Sequence, residues 1–126
     1  MKTALVVDDS PYNRTLLSAI LTRKRFKVET AEDGVAGFEK FSQCNPDVVF
    51  LDFIMPKMNG VELLAKIKEV KPGVIAIMIT SISASDDVEK AKTAGANAYI
   101  LKPYATDKVY ATLEKFHLLE PEGPAA

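Results

Sequence analysis

The stretch Ala4-Leu5-Val6-Val7-Asp8-Asp9-Ser10-Pro11 decides how this chain folds. Its four apolar residues are too few for a helix and read as a strand buried on both faces. Two acids come next. Ser10 is then placed as an N-cap and Pro11 at the first helical position, where its missing N–H costs nothing. Downstream, Leu16, Leu17, Ile20 and Leu21 repeat at helical spacing and predict an apolar stripe. The unit is therefore strand, acidic turn, helix.

The same unit recurs along the chain. Phe26, Val28 and Thr30 alternate with Lys27 and Glu29, the pattern of a half-buried strand at a sheet edge. A short helix is expected from Val35 to Ser42. Asp47 to Leu51 reads as a second buried strand. Val61 to Val70 reads as a helix with Leu64 and Ile67 on one face, stopped by Lys71-Pro72-Gly73. Val74 to Ile79 is the next buried strand. Ser85 is expected to cap a helix running to Ala94, with Gly95 as its stop. Ala98 to Leu101 is the last strand. Thr106 is expected to cap a last helix that turns Val109, Leu113 and Phe116 inward.

Five β-then-α units imply an α/β domain with a five-stranded parallel sheet and helices on both faces. Right-handed crossovers restrict its topology. The alternating second strand belongs at an edge, which selects the doubly wound, flavodoxin-like order 2-1-3-4-5. Residues 1–119 make one domain, and 120–126 read as a short flexible tail because two prolines and a glycine cannot continue a helix. Nothing folded is expected after that tail.

The composition excludes several classes. The chain has 126 residues, 26% of them charged, and a formal net charge of -1. One domain of this length buries roughly two-thirds of its extended surface. A balanced charge argues against direct nucleic-acid binding, which wants a basic excess. The single cysteine, Cys44, forbids an internal disulfide and reads as a small side chain before the Asn45-Pro46 turn. The opening apolar run is too short for a secretory signal or a membrane span. A reduced, cytoplasmic setting fits.

The residues at the ends of the buried strands carry the chemistry. The first strand ends in Asp8-Asp9, the third in Asp52, the fourth in Thr80-Ser81 and the fifth in Lys102-Pro103. The carboxyl ends of an open parallel sheet lie along one edge, so these side chains should converge in one crevice. Two carboxylates about 4 Å apart repel by ~4 kcal/mol at an effective dielectric near 20. Three together call for a cation, and one lysine does not neutralise them. Oxygen ligands without histidine or thiolate favour a hard ion, Mg2+ or else Mn2+. Such an ion beside Lys102 can balance charge on a phosphoryl group, Thr80 can bond one of its oxygens, and a carboxylate can be the nucleophile.

The series Asp8-Asp9, Leu51-Asp52, Met55-Pro56, Asn59-Gly60, Thr80-Ser81, Ala94-Gly95-Ala96 and Lys102-Pro103 resembles the receiver domain of two-component response regulators, over about Thr3 to Leu119. The resemblance implies residue roles. Asp52 would accept a phosphoryl group from a phosphohistidine on a sensor kinase or histidine phosphotransfer protein. Asp9 would be the principal Mg2+ ligand, with Asp8, Asp52 and the backbone carbonyl of Ile54. Thr80 would be the switch hydroxyl, Lys102 would pair with the phosphoryl group, and Tyr99 would move inward on activation. The responding surface would run roughly from Ala84 to Leu118 and meet a downstream effector. A monomer or weak dimer that modifies only itself is implied, with no membrane insertion. Ile54 and Ile82 are aliphatic where the family pattern is commonly polar, which implies a hindered hydrolytic water.

Other assignments fit less well. An FMN protein of this fold wants a hydroxyl- and glycine-rich phosphate loop where this chain has two acids. A phosphatase of the haloacid dehalogenase type wants an acid where Ile54 stands. A degenerate docking receiver usually lacks one of the five site residues, and none is missing. Met55 and Met58 read as loop packing, and His117 has no ligand cluster around it in sequence.

Overall fold

The computed structural model describes residues 1–119; the tail expected over 120–126 lies outside them. The elements are β1 (Thr3–Val7), α1 (Pro11–Thr22), β2 (Lys27–Ala31), α2 (Gly34–Cys44), β3 (Val48–Leu51), α3 (Gly60–Val70), β4 (Ile75–Thr80), α4 (Ser85–Thr93), β5 (Ala98–Leu101) and α5 (Thr106–Lys115). All strand pairs are parallel and the order is 2-1-3-4-5, as the strand patterns predict.

The continuous apolar runs are explained by the period of a strand. Successive side chains point to opposite faces, so each run is shared between two layers. Ala4, Val6, Val48, Phe50, Ile77 and Ile79 pack with Leu17, Ile20 and Leu21 of α1 and Val109 and Leu113 of α5. Leu5, Val7, Val49, Leu51, Ala76 and Met78 pack with Phe41 of α2, Leu63, Leu64 and Ile67 of α3 and Ala91 of α4. No helix among the described residues is long and apolar enough to cross a membrane.

Helix starts divide into expected and unexpected. The Ser10 hydroxyl accepts from the Asn13 amide, and Pro11 is the first helical residue. Asp33 caps α2 by accepting from the Ala36 amide, so the helix begins at Gly34 and not at the expected Val35. That helix runs past Ser42 to Cys44, and Asn45 closes it with a left-handed φ of 44°. Asn59 and Glu62 form a reciprocal capping box on α3.

Three expectations are corrected. Ser85 and Thr106 are not caps: Ala84 and Ala105 hold the extended cap positions, and no side-chain bond is made there. Acids in the first turns, Asp86 and Asp87 in α4 and Asp107 in α5, supply the negative charge that a helix start favours. Leu16 is 38% exposed, at the outer edge of the α1 stripe. Phe116, the cap residue of α5, is half-buried and packs against the core with Val109 and Leu113, as its spacing predicts. Among its nine residues α4 buries only Ala91.

Candidate functional site

The parallel sheet brings the strand-end side chains to one edge. Asp8 and Asp9 leave β1, Asp52 leaves β3, Thr80 ends β4 and Lys102 comes directly after β5. One carboxylate oxygen from each of Asp8, Asp9 and Asp52 lies within 4.8 Å of the others. Asp8 is buried and Asp9 is exposed, with Asp52 at the margin between buried and half-buried. The Lys102 ammonium stands between two of the acids, 2.7 Å from Asp8 Oδ2 and 2.8 Å from Asp52 Oδ2.

Backbone donors hold the remaining oxygens. Asp8 Oδ1 accepts from the Ser10 amide at 2.9 Å, and Asp52 Oδ1 accepts from the Ile54 amide at 3.3 Å. Burial alone pushes the Lys102 ammonium down. Its hydrogen bonds and charge attraction to Asp52 and Asp8 outweigh this and hold it above the usual lysine value.

The charge sum bears on the cation expectation. Three carboxylates and one ammonium leave two net negative charges in the crevice. Asp9 is the carboxylate outside the lysine bridge. The donor set is oxygen throughout, and this suits a hard divalent ion such as Mg2+. The residues present fit that group.

Thr80 is 1% exposed, and its Oγ1 accepts from the Ile82 amide at 3.4 Å. The Ile82 carbonyl in turn accepts from the Tyr99 hydroxyl at 2.7 Å. Tyr99 is half-buried, with its hydroxyl already turned to the β4–α4 connection. Burial pushes its phenol up, with Asp87 and Asp52 adding to the shift. Ile54 is 61% exposed beside the crevice, and Ile82 is half-buried.

A family model, the response regulator receiver domain, matches residues 4–114.

This chain belongs to the receiver domain family.

The receiver is 40% identical over 108 residues to the chemotaxis protein CheY of Halobacterium salinarum, covering 86% of this chain and 90% of that protein. It is 36% identical over 116 residues to CheY of Listeria monocytogenes, covering 91% and 98%. Among solved structures, a CheY-like receiver from Methanospirillum hungatei superposes with a TM-score of 0.88 at 28% identity, covering 92% of this chain and 93% of that one. The CheX–CheY–BeF3–Mg2+ complex from Borrelia burgdorferi gives 0.86 at 33%, covering 91% and 89%. The receiver is a phosphorelay response regulator, a signalling module and not a metabolic enzyme.

Several contacts that shape the receiver's site carry no sequence signal of their own. Arg14, on α1, donates from Nη1 to the Asp8 carbonyl at 2.7 Å and ties the helix to the acidic turn. Only the chain reversal between β1 and α1 brings them together. Gly60 stands against the backbone of Asp52: an added Cβ would collide with the Asp52 carbonyl oxygen and lie 2.8 Å from its carbon. The Asn59-Gly60 pair is visible in sequence, but the close approach behind it is not. Met55 is buried in the layer shared with α2 and α3, which bears out its reading as loop packing. His117 lies in a left-handed turn beyond α5 and joins no cluster of metal-ligating side chains among the described residues.

Proposed function

We propose that Asp52 is the phosphoacceptor of this receiver. The observation that carries this is the Lys102 ammonium seated between Asp52 and Asp8, beside a third carboxylate outside the bridge. In the transfer, an Asp52 oxygen forms a bond to phosphorus as the bond from phosphorus to a histidine nitrogen of the donor breaks. The electron pair returns to that nitrogen, which takes a proton from water.

Asp9, Asp8, Asp52 and the Ile54 carbonyl would hold Mg2+, or Mn2+ in its place. Bound there, the ion would offset charge on the phosphoryl oxygens. The Borrelia relative, solved with BeF3 and Mg2+, supports this choice. Lys102 pairs with the incoming group, and the Thr80 hydroxyl exchanges its Ile82 partner for a phosphoryl oxygen. The Thr80–Ile82–Tyr99 chain then carries the change toward α4, β5 and α5, where a downstream effector binds. The donor is a sensor histidine kinase or a histidine phosphotransfer protein in the cytoplasm. The chain modifies only itself, and residues 1–119 are the working domain.

The deciding experiment is phosphoryl transfer from a phosphorylated histidine kinase in Mg2+, with Asp52→Ala as control. Incorporation that hydroxylamine does not release, or incorporation that persists in Asp52→Ala, would refute the assignment.

A further inference from the structure

The connection from β3 to α3, residues 53–59, carries the Ile54 carbonyl and is held from two sides. At its end, the Gly60 amide donates to the Phe53 carbonyl at 2.8 Å and Gly60 abuts Asp52. At its middle it meets the start of α2, an element that contributes no residue to the acidic crevice. There Lys57 Nζ lies 3.6 Å from Asp33 Oδ2. Next to it, Gly34 is buried against Met58 so closely that an added Cβ would collide with the Met58 carbonyl oxygen and stand 2.6 Å from its Cβ.

The two contacts differ in weight. The Lys57 side chain is 67% exposed, and an ion pair open to water on one side is weak. The Gly34 contact is backbone on backbone, and an overlap there has no side chain to move aside. Nothing in α2 itself demands glycine at position 34. Its φ lies outside the left-handed region, and the first turn of a helix accepts alanine readily. The demand comes from the connection. Lys57 in that connection holds a left-handed φ of 70°, and the Met58 amide turns back onto the Pro56 carbonyl at 2.8 Å. This tight reversal is the part that Asp33 and Gly34 cover.

We propose that Gly34, assisted by Asp33, is a positioning residue of the cation site: it seats the Lys57-Met58 reversal on α2 and so fixes where the connection presents the Ile54 carbonyl. The proposal rests on the reading that this carbonyl and the three acids take Mg2+. Neither residue touches the ion. Groups that orient a ligand without binding the metal typically change affinity by about 10- to 100-fold when altered.

The test compares Gly34→Ala with Gly37→Ala in the full chain. Gly37 sits on the same helix, but an added Cβ there would meet side chains of Val7 and Leu63, 3.0 Å away, and not the connection. Calorimetric titration with Mg2+ alone should show Gly34→Ala binding about 10-fold more weakly. Gly37→Ala should keep wild-type affinity whatever it does to thermal stability. Equal affinity in all three proteins, or equal weakening in both variants, overturns the proposal.

Amide hydrogen exchange of the metal-free proteins separates this claim from the cation reading. Should wild type take no Mg2+, that reading falls, while faster exchange over 54–59 in Gly34→Ala alone still establishes the clamp; unchanged exchange there removes it. Should Gly34→Ala not fold, a double-mutant cycle of Asp33→Asn and Lys57→Gln on Mg2+ affinity decides. Asparagine retains the capping oxygen, and through-space charge effects add while a shared clamp does not. Additive effects overturn the proposal.

Discussion

The Tyr99 hydroxyl donates to the Ile82 carbonyl at 2.7 Å, and the Ile82 amide donates to Thr80 Oγ1 at 3.4 Å. One residue of backbone therefore links the buried Thr80 hydroxyl to an aromatic ring on the edge strand β5. Tyr99→Phe removes the donor and keeps the ring. It should lower stability by about 1 kcal/mol in urea unfolding and speed amide exchange in the residues just after Thr80. Unchanged exchange there would show that the ring, not its hydroxyl, holds this connection.

Removing an acid and removing the lysine should act in opposite directions. Asp9 faces two carboxylates and stands outside the lysine bridge, so Asp9→Asn relieves repulsion. Without Mg2+ it should raise stability by about 1 kcal/mol. Lys102→Met leaves Asp8 and Asp52 facing each other uncompensated and should lower stability by about 1 to 3 kcal/mol. Thermal unfolding in chelator reads both signs.

Adding Mg2+ to the wild-type protein should raise the unfolding midpoint, since a ligand bound only by the folded state stabilises it. Chelator should reverse the rise. In Asp9→Asn the rise should disappear. A full response in that variant would place the ion elsewhere.

Alkali should weaken the fold. The Lys102 ammonium and the Tyr99 and Tyr104 phenols are all held above their ordinary values, Lys102 by Asp52 and Asp8 against burial, the tyrosines chiefly by burial. A group whose proton is held more tightly in the folded state adds stability below its unfolded value and loses it as pH rises through the folded one. Burial also holds the Cys44 thiol up, so stability should begin to fall above about pH 8.5 and fall more steeply above about pH 10. Lys68, pushed down by burial, works in the other direction. Urea midpoints measured from mildly to strongly alkaline pH will report the balance, and Lys102→Met should flatten the decline.

Phosphoryl lifetime tests the two isoleucines. Ile54 is exposed at the mouth of the crevice and Ile82 is half-buried beside Thr80. Ile54→Asn and Ile82→Glu each offer a water a hydrogen-bonding partner, worth about tenfold in rate if one such bond forms in the transition state. A decay of labelled protein no faster than wild type would dismiss the idea.

The five strands and their order were legible because buried parallel strands read as unbroken apolar runs, and the crevice was legible because polar residues fall directly after them. Single residues were harder. Ser85 and Thr106 are good caps by type, yet the chain turns helical one residue sooner at both places, with Asp86, Asp87 and Asp107 serving the helix starts by charge. Leu16 joins an apolar stripe in sequence, but α1 meets the sheet along a narrower line. Arg14, Gly34 and Gly60 act through contacts between segments distant in sequence or across tight reversals. No periodicity encodes those.

The single buried alanine of α4 has a consequence for how stability is distributed in this domain. The two layers on the sheet rest on α1, α2, α3 and α5, each of which anchors large side chains or a side-chain cap. Of its own side chains α4 buries only the Ala91 methyl in the core, on the order of 1 kcal/mol of transfer free energy. Among the five helices it is therefore the one that its own side chains hold to the sheet least. A helix so lightly moored keeps the cost of changing state far below the cost of unfolding.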